Sequence, residues 1–202
     1  MRAFMLLSLA VALPSTAFGQ SPVKVGEKAP AFELTAVDGT THALASAKGK
    51  LLVLEWFNPD CPFVKLAYNE GPMKAVQKAH LAAGGQWFTI NSSAAGKQGH
   101  GQARNVEAAK AWDLAHPLLL DPKGTVGRTF GATRTPELVV IDANGTVVYH
   151  GALDSTGGGG YGGKEPVVHH LTEALKATRA GKAVATAATK PWGCSVKYGA
   201  PQ

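Results

Sequence analysis

Two cysteines occur in the 202-residue chain, Cys61 and Cys194, and they carry most of the chemistry its sequence offers. Two are too few for a disulfide-rich scaffold, a four-cysteine zinc site or a four-thiolate cluster. They suffice for one disulfide, or for one reactive thiol and a partner. Cys61 lies in Asn58-Pro59-Asp60-Cys61-Pro62-Phe63-Val64-Lys65, between an apolar run and a helical stretch. A thiol at a helix N-terminus faces free backbone N–H groups and the positive end of the helix dipole, and both favour thiolate. Pro62 suits the first helical position, where the missing N–H would be unpaired anyway. Thiolate is the form that attacks disulfides and peroxides. The placement points to a reactive thiol at Cys61 rather than a buried structural one.

Cys194 stands in Lys190-Pro191-Trp192-Gly193-Cys194-Ser195-Val196-Lys197-Tyr198, an aromatic knot in an otherwise polar, alanine-rich tail. The knot is expected to dock, with Lys190 and Lys197 favouring a thiolate there. A cysteine oxidised by peroxide becomes a sulfenic acid that condenses with a second thiol, and Cys194 is the only candidate within the chain. Three readings stay open: a redox-cycling pair, a permanent bridge that pins the tail, or a Cys194 with no partner in the chain.

Other side chains could assist. Glu55 is the one carboxylate in the apolar run Leu51-Leu52-Val53-Leu54-Glu55-Trp56-Phe57. A carboxyl in such surroundings has a raised pKa, which suits a proton acceptor; the alternative is a strand-end carboxylate held by hydrogen bonds. Asn58 could donate an amide hydrogen bond to a thiolate or a peroxide oxygen. Arg128 and Arg134 flank the segment before Pro136. The seven histidines show no metal-ligand spacing and are expected at the surface. No metal or organic cofactor is expected. The formal charge of +6 is spread out, with no run of five basic residues, so a nucleic-acid partner is not expected.

These residues need elements to position them. Apolar residues at 45% and charged residues at 17% describe a globular chain. Asp38-Gly39 predicts a hairpin turn within 25–44. The run at 51–57 predicts a strand buried on both faces. A helix is expected from Pro62, interrupted at Gly71-Pro72 and resumed over 73–83. A strand follows at 86–91, a polar loop at 92–101, a helix at 105–114, a short strand at 118–120 and a helical turn or two at 126–130. Asn144-Gly145 between apolar runs predicts a second hairpin over 137–150. The six glycines in 156–163 predict a mobile loop that does not pack. A helix at 167–179 stops at Gly181. The loop at 92–101 follows the C-terminal end of a strand, where α/β sites open. The alternation argues an α/β fold, a central mixed sheet with helices on both faces and an antiparallel hairpin at the edge.

The first segment reads as an address. One early charge at Arg2, an apolar stretch over 3–13 and a small-x-small site at Ala17 and Gly19 predict a secretory signal over 1–19, cleaved after Gly19. The stretch is shorter than the ~18–20 apolar residues of a spanning helix, so no stable membrane insertion is expected after cleavage. The expected organisation is a signal at 1–19, one domain at 20–180 and a cysteine-bearing tail at 181–202. The expected location is periplasmic or secreted, where a disulfide persists.

Gly26-Glu27-Lys28-Ala29-Pro30-Ala31-Phe32-Glu33-Leu34, the strand ending in Glu55-Trp56-Phe57, Asp60-Cys61-Pro62 and Thr135-Pro136 before a hairpin strand together resemble the thioredoxin-like superfamily. The peroxiredoxin-like, redoxin branch is the closest, over residues 25–175. The resemblance implies that Cys61 is the redox-active cysteine, that Pro136 is a cis-proline facing it, that Thr135 offers its backbone to an extended thiol substrate, that Glu55 assists proton transfer, and that Arg128 or Arg134 could favour the thiolate and polarise a peroxide. The chain also departs from its relatives. Val64 stands where thioredoxins place a second cysteine, Asn58 where peroxiredoxins place Thr or Ser, and Lys65 where copper-delivery relatives place a cysteine. Dithiol exchange within a local motif is thereby excluded. The reading is an exported thiol oxidoreductase: Cys61 attacks a peroxide or disulfide, Cys194 resolves it, and an external dithiol reduces the pair. A non-peroxidase disulfide reductase or isomerase, or a non-catalytic binding module, are the alternatives.

Overall fold

Asp38 closes the first hairpin by accepting hydrogen bonds from the Thr40 amide at 2.9 Å and the Thr40 hydroxyl at 2.6 Å. Gly39 beside it takes a positive φ of 86°, which a residue without Cβ adopts without strain. The turn joins β1 (Glu33–Ala36) to β2 (Thr41–Ala43). This is a computed structural model, and it describes residues 21–163 and 166–200. The expected signal segment lies outside the described residues.

The apolar run forms β3 (Leu52–Trp56), buried along its whole length. α1 (Pro62–Asn69) and α2 (Met73–Ala82) follow, broken at Gly71-Pro72 as expected. Next come β4 (Gln86–Asn91), α3 (Gln102–Ala111), β5 (Leu118–Leu120), α4 (Thr125–Phe130), the two-residue β6 (Arg134–Thr135), β7 (Glu137–Ile141), β8 (Val147–Gly151), α5 (His170–Arg179) and the two-residue β9 (Cys194–Ser195). Seven strands form one mixed sheet in the order β2-β1-β5-β4-β3-β7-β8. β4 runs parallel to both β3 and β5, whereas β7 is antiparallel to β3 and β8. A hairpin therefore ends the sheet at each edge.

Alternation along β3 divides the core. Val53 and Phe57 face α1, α2 and α5, packing with Val64, Tyr68, Met73 and Leu171. Leu52, Leu54 and Trp56 face the opposite side with Val126 and Phe130 of α4. Helices thus cover both faces, which explains why β3 is apolar at consecutive positions. Truncating one of these fully buried leucines to alanine costs ~2–5 kcal/mol.

Four expectations need correction. α3 begins at Gln102 rather than at 105, and α5 at His170 rather than at 167. The tail contributes β9, which pairs with β6 in a separate two-stranded sheet. The histidines are not all at the surface: His80 is 1% exposed, its Nε2 within 3.1 Å of the Leu51 carbonyl and 2.9 Å of the Gln86 carbonyl. The glycine segment packs: Asp154 accepts hydrogen bonds from Thr156 and, at 2.8 Å, from the Tyr161 hydroxyl. A Cβ on Gly158 would strike the Phe63 ring, so this glycine lets the loop lie against α1.

Candidate active site

Cys61 is the N-cap residue of α1, with Pro62 in the first turn. Its backbone is extended and its side chain makes no capping hydrogen bond, so the sulfur is free to face elsewhere. The thiol donates to the Thr135 carbonyl at 3.2 Å, across the cis Thr135–Pro136 segment. Cys61 has no exposed surface. Burial alone pushes a thiol up, but hydrogen bonds from Thr135, from Cys194 and from the Val64 and Cys194 amides outweigh it, and the Cys61 pKa falls below the ordinary thiol value.

The second cysteine reaches this spot through strand pairing. Thr135 pairs with Cys194 and Arg134 with Ser195, antiparallel. Both cysteines are free thiols. Cys194 is partly exposed, and its pKa is pushed up to about 11, first by burial, then by the hydrogen bond and negative charge of Cys61, with Lys197 pulling the other way. The tail is fastened on either side of the thiol. Trp192 is buried and donates to the Asp154 carbonyl at 3.0 Å. Val196 donates its amide to the Thr133 carbonyl at 3.1 Å, and Tyr198 its hydroxyl to the Ala132 carbonyl at 2.9 Å. Gly193 at φ 120° lies so close to Thr135 that a Cβ would collide with the Thr135 carbonyl oxygen. The aromatic knot docks, as the sequence suggested.

Glu55 sits beneath the same face, fully buried. Oε2 accepts from Gln77 at 3.0 Å, Trp87 at 3.0 Å and Thr89 at 3.1 Å, and the Tyr68 hydroxyl lies 2.9 Å from both carboxyl oxygens. Burial raises its pKa to about 7 despite these four donors. The cluster continues from Thr89 to His116 at 2.9 Å. Burial drops the His116 pKa to about 4, so that imidazole is neutral at pH 7. Glu55 is thus held by hydrogen bonds, and none of its partners belongs to the Cys61 loop.

The remaining sequence-predicted residues have other engagements. Asn58 donates to the Gln98 carbonyl at 3.0 Å and to Ser93, while its Oδ1 accepts the Asp60 amide at 2.9 Å. It shapes the turn before Cys61 and ties it to the 92–101 loop. Arg128 donates to the Gly199 carbonyl at 2.6 Å and stacks 4.5 Å above the Tyr198 ring, so it clamps the tail. Arg134 is exposed and its guanidinium turns back to the Thr133 carbonyl.

One positioning residue escaped the sequence reading. Glu137, 2% exposed, accepts the Thr133 and Arg134 amides at 2.7 and 2.8 Å and pairs with His150 at 2.7 Å. It braces the backbone that presents Thr135 and Pro136. A carboxylate opening an otherwise apolar strand immediately after a proline was the available signal.

Comparison with known proteins fits this geometry. The redoxin family pattern matches residues 24–163. The thiol-disulfide oxidoreductase ResA of Geobacillus thermodenitrificans is 28% identical over 155 residues, covering 73% of this chain and 83% of its own. A hypothetical protein from Sinorhizobium meliloti 1021 superposes with a TM-score of 0.76 at 27% identity, over 89% of this chain and 97% of its own. An uncharacterized conserved protein from Geobacillus kaustophilus gives a TM-score of 0.76 at 26% identity, over 91% and 99%. The match over 24–163, more than half the chain, together with a cysteine at a helix N-terminus facing a cis-proline, places this protein in the redoxin family, within the thioredoxin-like superfamily of thiol-based oxidoreductases.

Proposed function

We propose that this redoxin is an exported thiol–disulfide oxidoreductase that works through a reversible Cys61–Cys194 disulfide. The observation that carries the reading is the Thr135–Cys194 register, which sets a partly exposed thiol beside a buried one of lowered pKa. The Cys61 thiolate attacks a substrate disulfide, forming a mixed disulfide and releasing one substrate thiolate. Cys61 then carries no charge, so the part of the Cys194 shift that came from that charge disappears. Cys194 loses its proton to the departing thiolate and attacks the Cys61 sulfur. The second substrate thiol leaves and the Cys61–Cys194 bond forms. An external dithiol returns the pair to the reduced state.

A disulfide is favoured over a peroxide as oxidant because Asn58 and Arg128, two groups suited to polarising a peroxide, are engaged with Gln98 and with the tail. The proposed organisation keeps a signal at 1–19, a redoxin domain at 20–180 and the tail at 181–202 as the carrier of the resolving thiol. Among the described residues no helix is long and apolar enough to cross a membrane.

Stopped-flow mixing of the reduced protein with an aromatic disulfide tests the proposal. Release of two dye thiols per protein, with no dye left attached, is the expected result. Release of one, with dye retained on either cysteine, would show that Cys194 does not resolve. Absence of any release would remove the reactive-thiol reading altogether.

A further inference from the structure

The backbone of Thr135 is the natural edge against which a thiol-bearing polypeptide could lie to reach Cys61, and in this structure the chain's own tail lies there. β9 adds to β6 in the manner of an extended peptide augmenting a sheet edge. It brings a cysteine opposite Thr135, with the Thr135 carbonyl already hydrogen-bonded to Cys61. The pairing edge of Thr135 is therefore taken in cis. Cys61 has no exposed surface beneath it.

We propose that the 192–198 strand is a built-in occupant of the polypeptide site, so that the docked protein reacts with small disulfides and a disulfide held in an extended polypeptide gains access only when the tail leaves. The inference rests on Cys61 being the reactive thiol of the proposed function. It adds the substrate class and the residues that set it. Gly193 is the fitting residue, because its missing Cβ is what allows the tail backbone to pass the Thr135 carbonyl. Trp192 is the anchor: it is buried, bonded to Asp154, and packed against Phe63, which follows Cys61 and Pro62. Gly158 of the glycine loop closes over the Phe63 ring and reaches Trp192. The loop therefore covers the strand's anchor. A foreign strand bound in the same register would meet the same limit, and a glycine before its half-cystine would be preferred.

The chemistry is unchanged from the first step above. The Cys61 thiolate attacks one sulfur of the polypeptide disulfide, a Cys61–S–S–polypeptide bond forms, and the other sulfur leaves as thiolate.

The test compares Cys194→Ser, in which the tail stays docked without a second thiol, with Gly193→Val/Cys194→Ser and Trp192→Ala/Cys194→Ser. Each full-length reduced protein is mixed with 4,4′-dithiodipyridine and, separately, with a short unstructured peptide whose single cysteine carries a thionitrobenzoate group. The readout is the ratio of the peptide rate to the small-probe rate, which cancels changes in thiolate fraction. Tryptic cleavage at Lys197, between the docked Val196 and Tyr198, reports whether the tail is released. The ratio is expected to rise by about tenfold or more in the two released variants. An unchanged ratio with the tail demonstrably released would overturn the proposal, as would a docked protein that takes the peptide as readily as the small probe. A Gly193→Val tail that stays trypsin-resistant would overturn the role given to Gly193. Failure of both probes at Cys61 in every protein would instead remove the proposed function, and this inference with it.

Discussion

The two thiols occupy unlike parts of the molecule. Cys61 grows out of β3, the most enclosed strand of the sheet, and starts α1, whose buried residues interlock with the core. Cys194 rides on a two-residue strand held by a few side chains, chiefly Trp192, Tyr198 and the Arg128 clamp. The first has a pKa below the ordinary thiol value and the second one of about 11. A nucleophile needs a fixed geometry and a stable thiolate, which a packed strand–helix junction supplies. In the proposed mechanism the resolving thiol acts second, and the fastened tail already holds Cys194 beside Cys61 for that step.

Removing one thiol at a time separates these roles most sharply. Cys61→Ser is expected to slow reaction with an aromatic disulfide on the order of a thousandfold or more. Cys194→Ser is expected to leave the first step within about tenfold but to trap dye on Cys61, which intact-mass spectrometry detects. Equal losses from the two substitutions would erase the distinction between the thiols.

The rigid side of the comparison also predicts a pH signature. Glu55 has a folded pKa of about 7 against an ordinary carboxyl value of 4.5. Its contribution to stability is fully present below about 4.5 and is lost as pH rises through about 7. The loss amounts to about 3 kcal/mol. Glu55→Gln can keep its oxygen toward Gln77, Trp87 and Thr89 and its amide toward Tyr68. Urea unfolding across this range should show the wild type losing ground to Glu55→Gln by that amount. Parallel curves would place the Glu55 pKa near its ordinary value.

The tail side of the comparison predicts a local effect. Trp192→Ala should speed amide exchange at Val196 and Thr189, which bond to Thr133 and His150, and leave β3 and β4 amides unchanged. Uniform acceleration would mean that the tail is an integral part of the core. The smallest effect is expected at Asp60, next to Cys61, which pairs with Arg104 at 2.7 Å with both side chains about a third exposed. Arg104→Ala should cost about 0.2–1 kcal/mol in a denaturant titration.

The rigid half was more legible in the sequence than the tail. β4 lies at 86–91 as predicted, and α1 and α2 break at Gly71-Pro72, because period, length and breakers coincide there. The place of Cys61 at the start of α1 was legible because strand, turn, cysteine and proline are contiguous. β6 and β9 were not, since a two-residue strand has no period to read and its partner lies far along the chain. The surroundings of Glu55 were hidden for a different reason. Gln77 and His80 share the buried face of α2 with Met73, a spacing the sequence displays, but polar residues on such a stripe read as surface until their partners are known. The start of α3 was missed because its N-cap is Gly101, with no side chain to mark it.

Peptide mapping under non-reducing conditions, after treating the full-length reduced protein with one equivalent of a small disulfide, tests the account most directly. A Cys61–Cys194 link within one chain, formed with equal loss of both thiols and reversed by a dithiol, is the expected result. A mixed disulfide persisting on Cys61 beside a free Cys194, or a link between chains, would contradict it.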